Sequence, residues 1–120
     1  MKILLVEDNP DDAFFIQRML PGNDFIHAES LKAALDYLRT KPELDLILLD
    51  LGLPDSGGQE TFEAILQHSR GVVTVVITGY VMNETAADAY RAGVKECIGK
   101  DTLSSIEMKA LLIRVAQQGG

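Results

Sequence analysis

Asp50 follows four large apolar residues, Leu46 to Leu49, and precedes Gly52, Pro54 and the pair Gly57-Gly58. A carboxylate there is costly to strip of water unless a cation or hydrogen-bond donors meet it. The same grammar recurs at Glu7-Asp8, directly after Ile3-Leu4-Leu5-Val6. Two further apolar runs end in other polar groups: Val72 to Ile77 leads into Thr78-Gly79, and Glu96 to Gly99 leads into Lys100. Three carboxylates converging on one crevice repel one another. A hard divalent cation with oxygen ligands relieves that repulsion, and Mg2+ suits a small, wet site of this kind. A metal-bound Asp50 keeps an outward oxygen able to attack phosphorus as a carboxylate nucleophile. The Thr78 hydroxyl and the Lys100 ammonium can hold phosphoryl oxygens. Transfer to Asp50 then needs chiefly positioning and charge neutralisation.

The apolar runs that lead to these residues show no period-2 alternation, which predicts strands covered on both faces of a parallel sheet. Asn9-Pro10-Asp11-Asp12 predicts a helix start, with Asn at the cap, Pro at the first position and acids in the first turn. That role accounts for Asp11 and Asp12. Ala13, Ile16 and Leu20 share one face of this helix, Phe14 or Phe15 extends it, and Pro21-Gly22 ends it. Phe25 to Ala28 reads as a short strand, and Ser30 caps a helix carrying Leu31, Ala34, Leu35 and Leu38. Phe62, Ile65 and Leu66 mark a third helix. A fourth, from about Glu84 to Ala92 with Gly93 as its stop, has few large anchors and is a candidate for movement. Ser104 to Glu107 is a capping box, Leu103 can staple against Met108, and Met108, Leu111, Leu112 and Val115 form the buried stripe of the last helix. His27 has no Cys or His nearby in sequence and reads as a structural or edge residue, and His68 falls at the polar end of the third helix, where a cation near the C-terminus needs no further role.

Five strands alternating with five helices through short connections predict an α/β fold, a doubly wound five-stranded parallel sheet. In such sheets chemistry gathers beyond the C-terminal strand ends, and Glu7, Asp8, Asp50, Thr78 and Lys100 all fall there. The chain has 120 residues, 47% of them hydrophobic, enough for a core without disulfides or metal staples. A net charge of −7, from 18 acidic and 11 basic residues with no basic run, argues against direct nucleic-acid binding. The single cysteine, Cys97, cannot form an internal disulfide, and the N-terminus lacks a signal-type segment; both favour the cytoplasm. The apolar runs are far too short to span a membrane.

At Glu7-Asp8, Asp50 with Pro54, Thr78-Gly79 and Lys100, in that order, the sequence resembles the receiver domain of two-component response regulators. The resemblance covers essentially the whole chain. It implies a flavodoxin-like sheet of order 2-1-3-4-5 and a single receiver domain over residues 1–120, with 117–120 a tail or linker start. It implies that Asp50 is the phosphoacceptor, and that Asp8, Asp50 and the Gly52 carbonyl bind Mg2+, with Glu7 reaching the ion through water. Thr78 is then the switch hydroxyl and Lys100 the salt-bridge partner of the phosphoryl group. The implied partners are a histidine kinase or phosphotransfer protein and an output domain or target protein. The responsive surface is the fourth helix, fifth strand and fifth helix, including Tyr80 and Tyr90, which is also a possible homodimer face. No catalysis is implied beyond the domain's own phosphotransfer and dephosphorylation.

Two positions depart from the family pattern. Cys97 stands where an aromatic residue is usual, so the ring movement that accompanies the threonine switch has no counterpart at this position. Asp101 stands where proline usually follows the lysine, so the preceding bond is expected either trans with a shifted Lys100 or cis under strain. A phosphatase of the haloacid dehalogenase type needs a second acid two residues after the nucleophile, where this chain has Gly52. A flavodoxin-like cofactor site would place Glu7 to Asp12 against a phosphate. The remaining alternative is a receiver-like docking or dimerisation module that acts without phosphorylation.

Overall fold

The computed structural model of the chain describes residues 1–79 and 83–118. Strands β1 (Lys2–Val6), β2 (Asp24–Ala28), β3 (Leu46–Leu49), β4 (Thr74–Thr78) and β5 (Glu96–Gly99) alternate with helices α1 (Pro10–Met19), α2 (Leu31–Leu38), α3 (Gly58–His68), α4 (Asn83–Ala92) and α5 (Ser105–Gln118). A 3-10 turn, Lys100–Thr102, links β5 to α5. The strands pair in parallel in the order β2-β1-β3-β4-β5, as expected. Tyr80 and the last two residues of the expected tail, Gly119 and Gly120, lie outside the described residues.

Alternation along the strands divides the core in two. Ile3, Leu5, Leu46, Leu48, Val75 and Ile77 pack against α1 and α5. Leu4, Val6, Ile47, Leu49 and Val76 face α2, α3 and α4. The central strands β1 and β3 are buried on both faces, which is why their sequences show no polar alternation.

β4 begins at Thr74, later than the apolar run suggests. Arg70 and Gly71 adopt φ of 55° and 82°, and the Val72 amide bonds back to Ser69 O at 3.0 Å, so the chain is still turning there. In α1, Ala13, Ile16, Met19 and Leu20 are buried, whereas Phe14 and Phe15 are 61% and 58% exposed. The expectation that one of the phenylalanines extends the buried face is therefore corrected. At about 100° per residue both fall outside the arc defined by positions 13, 16 and 20, and Met19 fills that role. The Phe14 ring is instead partly covered by the Arg18 guanidinium, 5.5 Å from its centroid.

The caps form as the sequence indicates. Asn9 Oδ1 accepts from the Asp11 and Asp12 amides at 2.9 and 3.1 Å, and Ser104 Oγ accepts from the Glu107 amide at 3.2 Å. Helix α2 has a second cap from outside its own segment. Asp55, in the loop after β3, accepts from the Leu31 and Lys32 amides at 2.9 and 3.0 Å, and these bonds hold its carboxyl below the usual range. Asp55 thereby ties the loop that follows Asp50 to the start of α2. Asp55→Ala should lower stability by about 1 kcal/mol, the usual worth of an N-cap. Urea unfolding would measure it, with faster amide exchange at Leu31 and Lys32 locating the loss.

Candidate functional site

The register across the sheet determines which side chains meet. Val6, Leu49, Val76 and Cys97 lie in one row, facing α2, α3 and α4. One residue further along, Glu7 and Asp50 continue the opposite face, the one covered by α1 and α5. Backbone bonds hold them there: the Glu7 amide donates to Ala28 O and the Asp50 amide to Val6 O, both at 2.9 Å. Glu7 and Asp50 are buried, and Asp8 is exposed. A ligand oxygen from each of the three carboxylates lies within 4.8 Å of the others.

Lys100 enters this cluster from the end of β5. Its Nζ is 2.5 Å from Glu7 Oε1, 2.8 Å from Asp12 Oδ2 and 3.2 Å from Asp50 Oδ2. The ammonium donates hydrogen bonds to Asp12 and Asp50, whereas Glu7 Oε1 touches it as an ion pair alone. The peptide bond before Asp101 is trans, and the chain passes directly into the 3-10 turn. Asp101 folds back over Gly99, so that a side chain at 99 would have to displace the exposed Asp101 carboxylate. Thr102 Oγ1 donates to Gly99 O at 3.0 Å and closes it.

Asp50 has one further donor, the Gly52 amide at 3.0 Å from Oδ1. Thr78 ends β4 beside Gly99 and is buried. The structure thus brings Glu7, Asp8, Asp50 and Lys100 together, and places Gly52 against the Asp50 carboxyl and Thr78 at the neighbouring strand end. It also adds Asp12, which the sequence reading assigned to the helix start alone. The available signal was topological: a helix leaving β1 on the Glu7 face carries its first turn over that face. His27 Nε2 lies 2.6 Å from Glu7 O and braces the backbone at the end of β1.

The charges are unequal to one another in state. Burial pushes Glu7 up, the Asp50 carboxylate beside it adds to this, and Lys100 opposes it, leaving Glu7 at about 7. Burial pushes Asp50 the same way, but the Glu7 carboxyl beside it, the Gly52 amide and Lys100 outweigh it and hold that carboxyl below its usual value. Burial disfavours the Lys100 ammonium, yet Asp12, Glu7 and Asp50 raise it above the ordinary lysine range. The site therefore presents an ionised Asp50 oxygen clasped by a permanent cation, next to a carboxyl that holds a proton near neutrality.

The donor set fits a divalent metal: all candidate ligands are hard oxygens, Glu7 Oε1 is a buried acceptor without a directed partner, and Lys100 is the cation already drawn into the same space. Beyond the cluster, Cys97 is half-buried against the α2–α4 side of the core, its amide donates to Tyr90 Oη at 3.0 Å, and burial pushes its thiol up. These are the properties of a structural cysteine.

A parallel sheet of this order with acids at the ends of β1 and β3 and a lysine at the end of β5 defines a receiver-type site. The chain matches the family model of the response regulator receiver domain over residues 3–112, and it belongs to that family. It is 35% identical over 98 residues to the transcriptional regulatory protein CitT of Halalkalibacterium halodurans, an alignment covering 78% of this chain and 43% of that protein. The chain thus spans less than half the length of that relative. Among solved structures, a CheY-like response regulator receiver domain protein from Methanospirillum hungatei superposes with a TM-score of 0.86 at 22% identity, over 98% of this chain and 95% of that one. The Mn2+-bound form of response regulator Rcp1 superposes with a TM-score of 0.77 at 27% identity, over 91% of this chain and 87% of that one.

A carboxyl whose folded value lies above its unfolded one binds an extra proton in the folded state between the two. The Glu7 contribution is thus full below about pH 4.5 and is lost as pH rises through about 7. Asp50 acts in the opposite sense and only at lower pH, since its stabilisation is lost as pH falls below the ordinary aspartate range. In the presence of a chelator, stability should fall from about pH 5 to about pH 8 by on the order of 2 kcal/mol. Glu7→Gln should flatten this decline, as urea unfolding at the two pH values would show.

Proposed function

We propose that this chain is the phosphoacceptor of a two-component or phosphorelay system, with Asp50 as the accepting residue. The observation that supports it most is Asp50 itself: a buried carboxylate kept ionised, with the Lys100 ammonium 3.2 Å from Oδ2 and the acids Glu7 and Asp8 beside it. The donor is a phosphorylated histidine of a kinase or phosphotransfer protein. An Asp50 oxygen attacks phosphorus, the P–N bond to the imidazole breaks with its electron pair returning to nitrogen, and an acyl phosphate remains on Asp50. Lys100 stays paired with the added charge, and the Thr78 hydroxyl moves to hold a phosphoryl oxygen.

Glu7, Asp8, Asp50 and the Gly52 carbonyl would hold Mg2+, a reading supported by the oxygen donor set and by the Mn2+-bound relative. Bound there, the ion supplies neutralisation of phosphoryl charge. The chain performs no reaction other than its own phosphotransfer and dephosphorylation. It works in the cytoplasm, in line with its having, among the described residues, no helix long and apolar enough to cross a membrane. Signalling leaves through α4, β5 and α5, to a target or to a second copy. Coupling between Asp50 and this face is a shift between two populations, driven by the charge added at Asp50.

Incubation with acetyl phosphate should give a Mg2+-dependent mass adduct in the wild type and none in Asp50→Asn. A folded wild type that takes no adduct and shows no amide response to beryllofluoride would favour the phosphorylation-independent docking module instead. Thr78→Ala should still accept phosphate, with a reduced change of amide exchange over residues 83–100; an equal change in both proteins would remove Thr78 from the switch.

A further inference from the structure

Asp12 is not used by the phosphoacceptor reading above, yet it accepts a hydrogen bond from Lys100 Nζ at 2.8 Å, closer than Asp50 at 3.2 Å and second only to the 2.5 Å ion-pair contact of Glu7. It lies in the first turn of α1, 88 positions from Lys100, and its side chain is half-exposed while that of Lys100 is mostly covered. A helix-start role does not require this contact. Asp11, in the same turn, serves the helix start equally and is exposed. Asp12 and Lys100 also line one cavity with Phe15, Ile16 and Leu103, open at the rim of the site. Lys100 is thus shared between an outer carboxylate on α1 and the inner carboxylates of the sheet.

We propose that Asp12 is a positioning residue that holds Lys100 toward the rim and competes with a phosphoryl group on Asp50 for its ammonium. The inference rests on Asp50 being the phosphoacceptor. An ammonium has three N–H donors, and in the resting arrangement Glu7, Asp12 and Asp50 surround it. A phosphoryl group brings several strong acceptor oxygens and about two negative charges to the same ammonium. To clasp it fully, Lys100 has to loosen its bond to Asp12, whose charge also repels the phosphoryl group across the gap. Asp12 therefore opposes the phosphorylated state, and an uncharged residue there favours it.

The test is the affinity for beryllofluoride at fixed, saturating Mg2+, read from amide spectra, for the wild type, Asp12→Asn, Asp12→Glu and Asp11→Asn. Asp12→Asn should bind about five-fold more tightly, the upper range for one partly exposed ion pair. Asp12→Glu, which keeps the charge and can reach Lys100, should return toward the wild type. Asp11→Asn makes the same change of net charge one residue away and should shift affinity by less than about two-fold, because exposed charges are screened. A role for Asp12 in helix stability alone gives a lower melting temperature and unchanged or weaker binding. Unchanged or weaker binding by folded Asp12→Asn, or equal tightening by Asp11→Asn, overturns the proposal while leaving Asp50 as acceptor. A wild type that does not respond to beryllofluoride overturns both.

Discussion

One ammonium set among several carboxylates at the edge of an apolar sheet governs the arrangement of this molecule. Glu7 and Asp50 leave the sheet core at adjacent positions with no space for bulk water behind them. Removing such charges from water is expensive, and a pair survives only with good geometry and extra donors. Lys100 supplies the opposite charge, and the Gly52 and Asn9 amides supply donors to Asp50 and Glu7. The balance is incomplete: Glu7 retains a proton to about pH 7 and one of its oxygens has no directed partner. Such an excess of oxygen acceptors over donors makes the site receptive to cations and resistant to anions that arrive without one.

The rest of the fold keeps this imbalance from relaxing. If the acids could move apart or turn outward, solvation would separate them. Their backbones are fixed by parallel pairing on β1 and β3, which are buried on both faces. The loop that carries Gly52 is in turn anchored through Asp55 to α2, and the end of β1 is braced by His27 from β2. The energy that confines the charges thus comes from apolar burial elsewhere, a division of labour between core and functional edge that is general to sites of this kind.

The strands and the residues at their ends were legible in the sequence because one signal marks both: an unbroken apolar run that stops at a polar group. Asp50, Glu7 and Lys100 stand out for that reason. Asp12 did not, because a first-turn acid already has a sufficient local explanation, and its second partner lies 88 positions away. Alternation along β1 carries the missing information, since it puts Glu7 on the α1 side. Phe14 and Phe15 misled through their hydrophobicity; helical phase outranks residue type in deciding which side chain is buried. Asp55 was unreadable for a related reason, as its partners belong to a helix that precedes it in the chain.

The same row logic bears on Cys97. In register with Val76 and Leu49, it faces the α4 side one row below Asp50, and it is too small to occupy two distinct pockets. Among the described residues an aromatic group reaches β5 from α4 instead: the Tyr90 hydroxyl accepts the Cys97 amide, on a strand at the edge of the sheet. An edge amide released from such a bond can turn to water, so its separation carries a small net penalty. Helix α4 is half-buried over much of its length, with Ala89 as its fully covered anchor. Helix α4 packs against α3 as well as β5, so a displacement along β5 breaks the Tyr90–Cys97 bond and shifts the α3 contact, while the double-sided core under β1 and β3 is not involved. The sheet fixes the charges on its α1–α5 side, and α4 lies on the other side against α3 and β5, away from them.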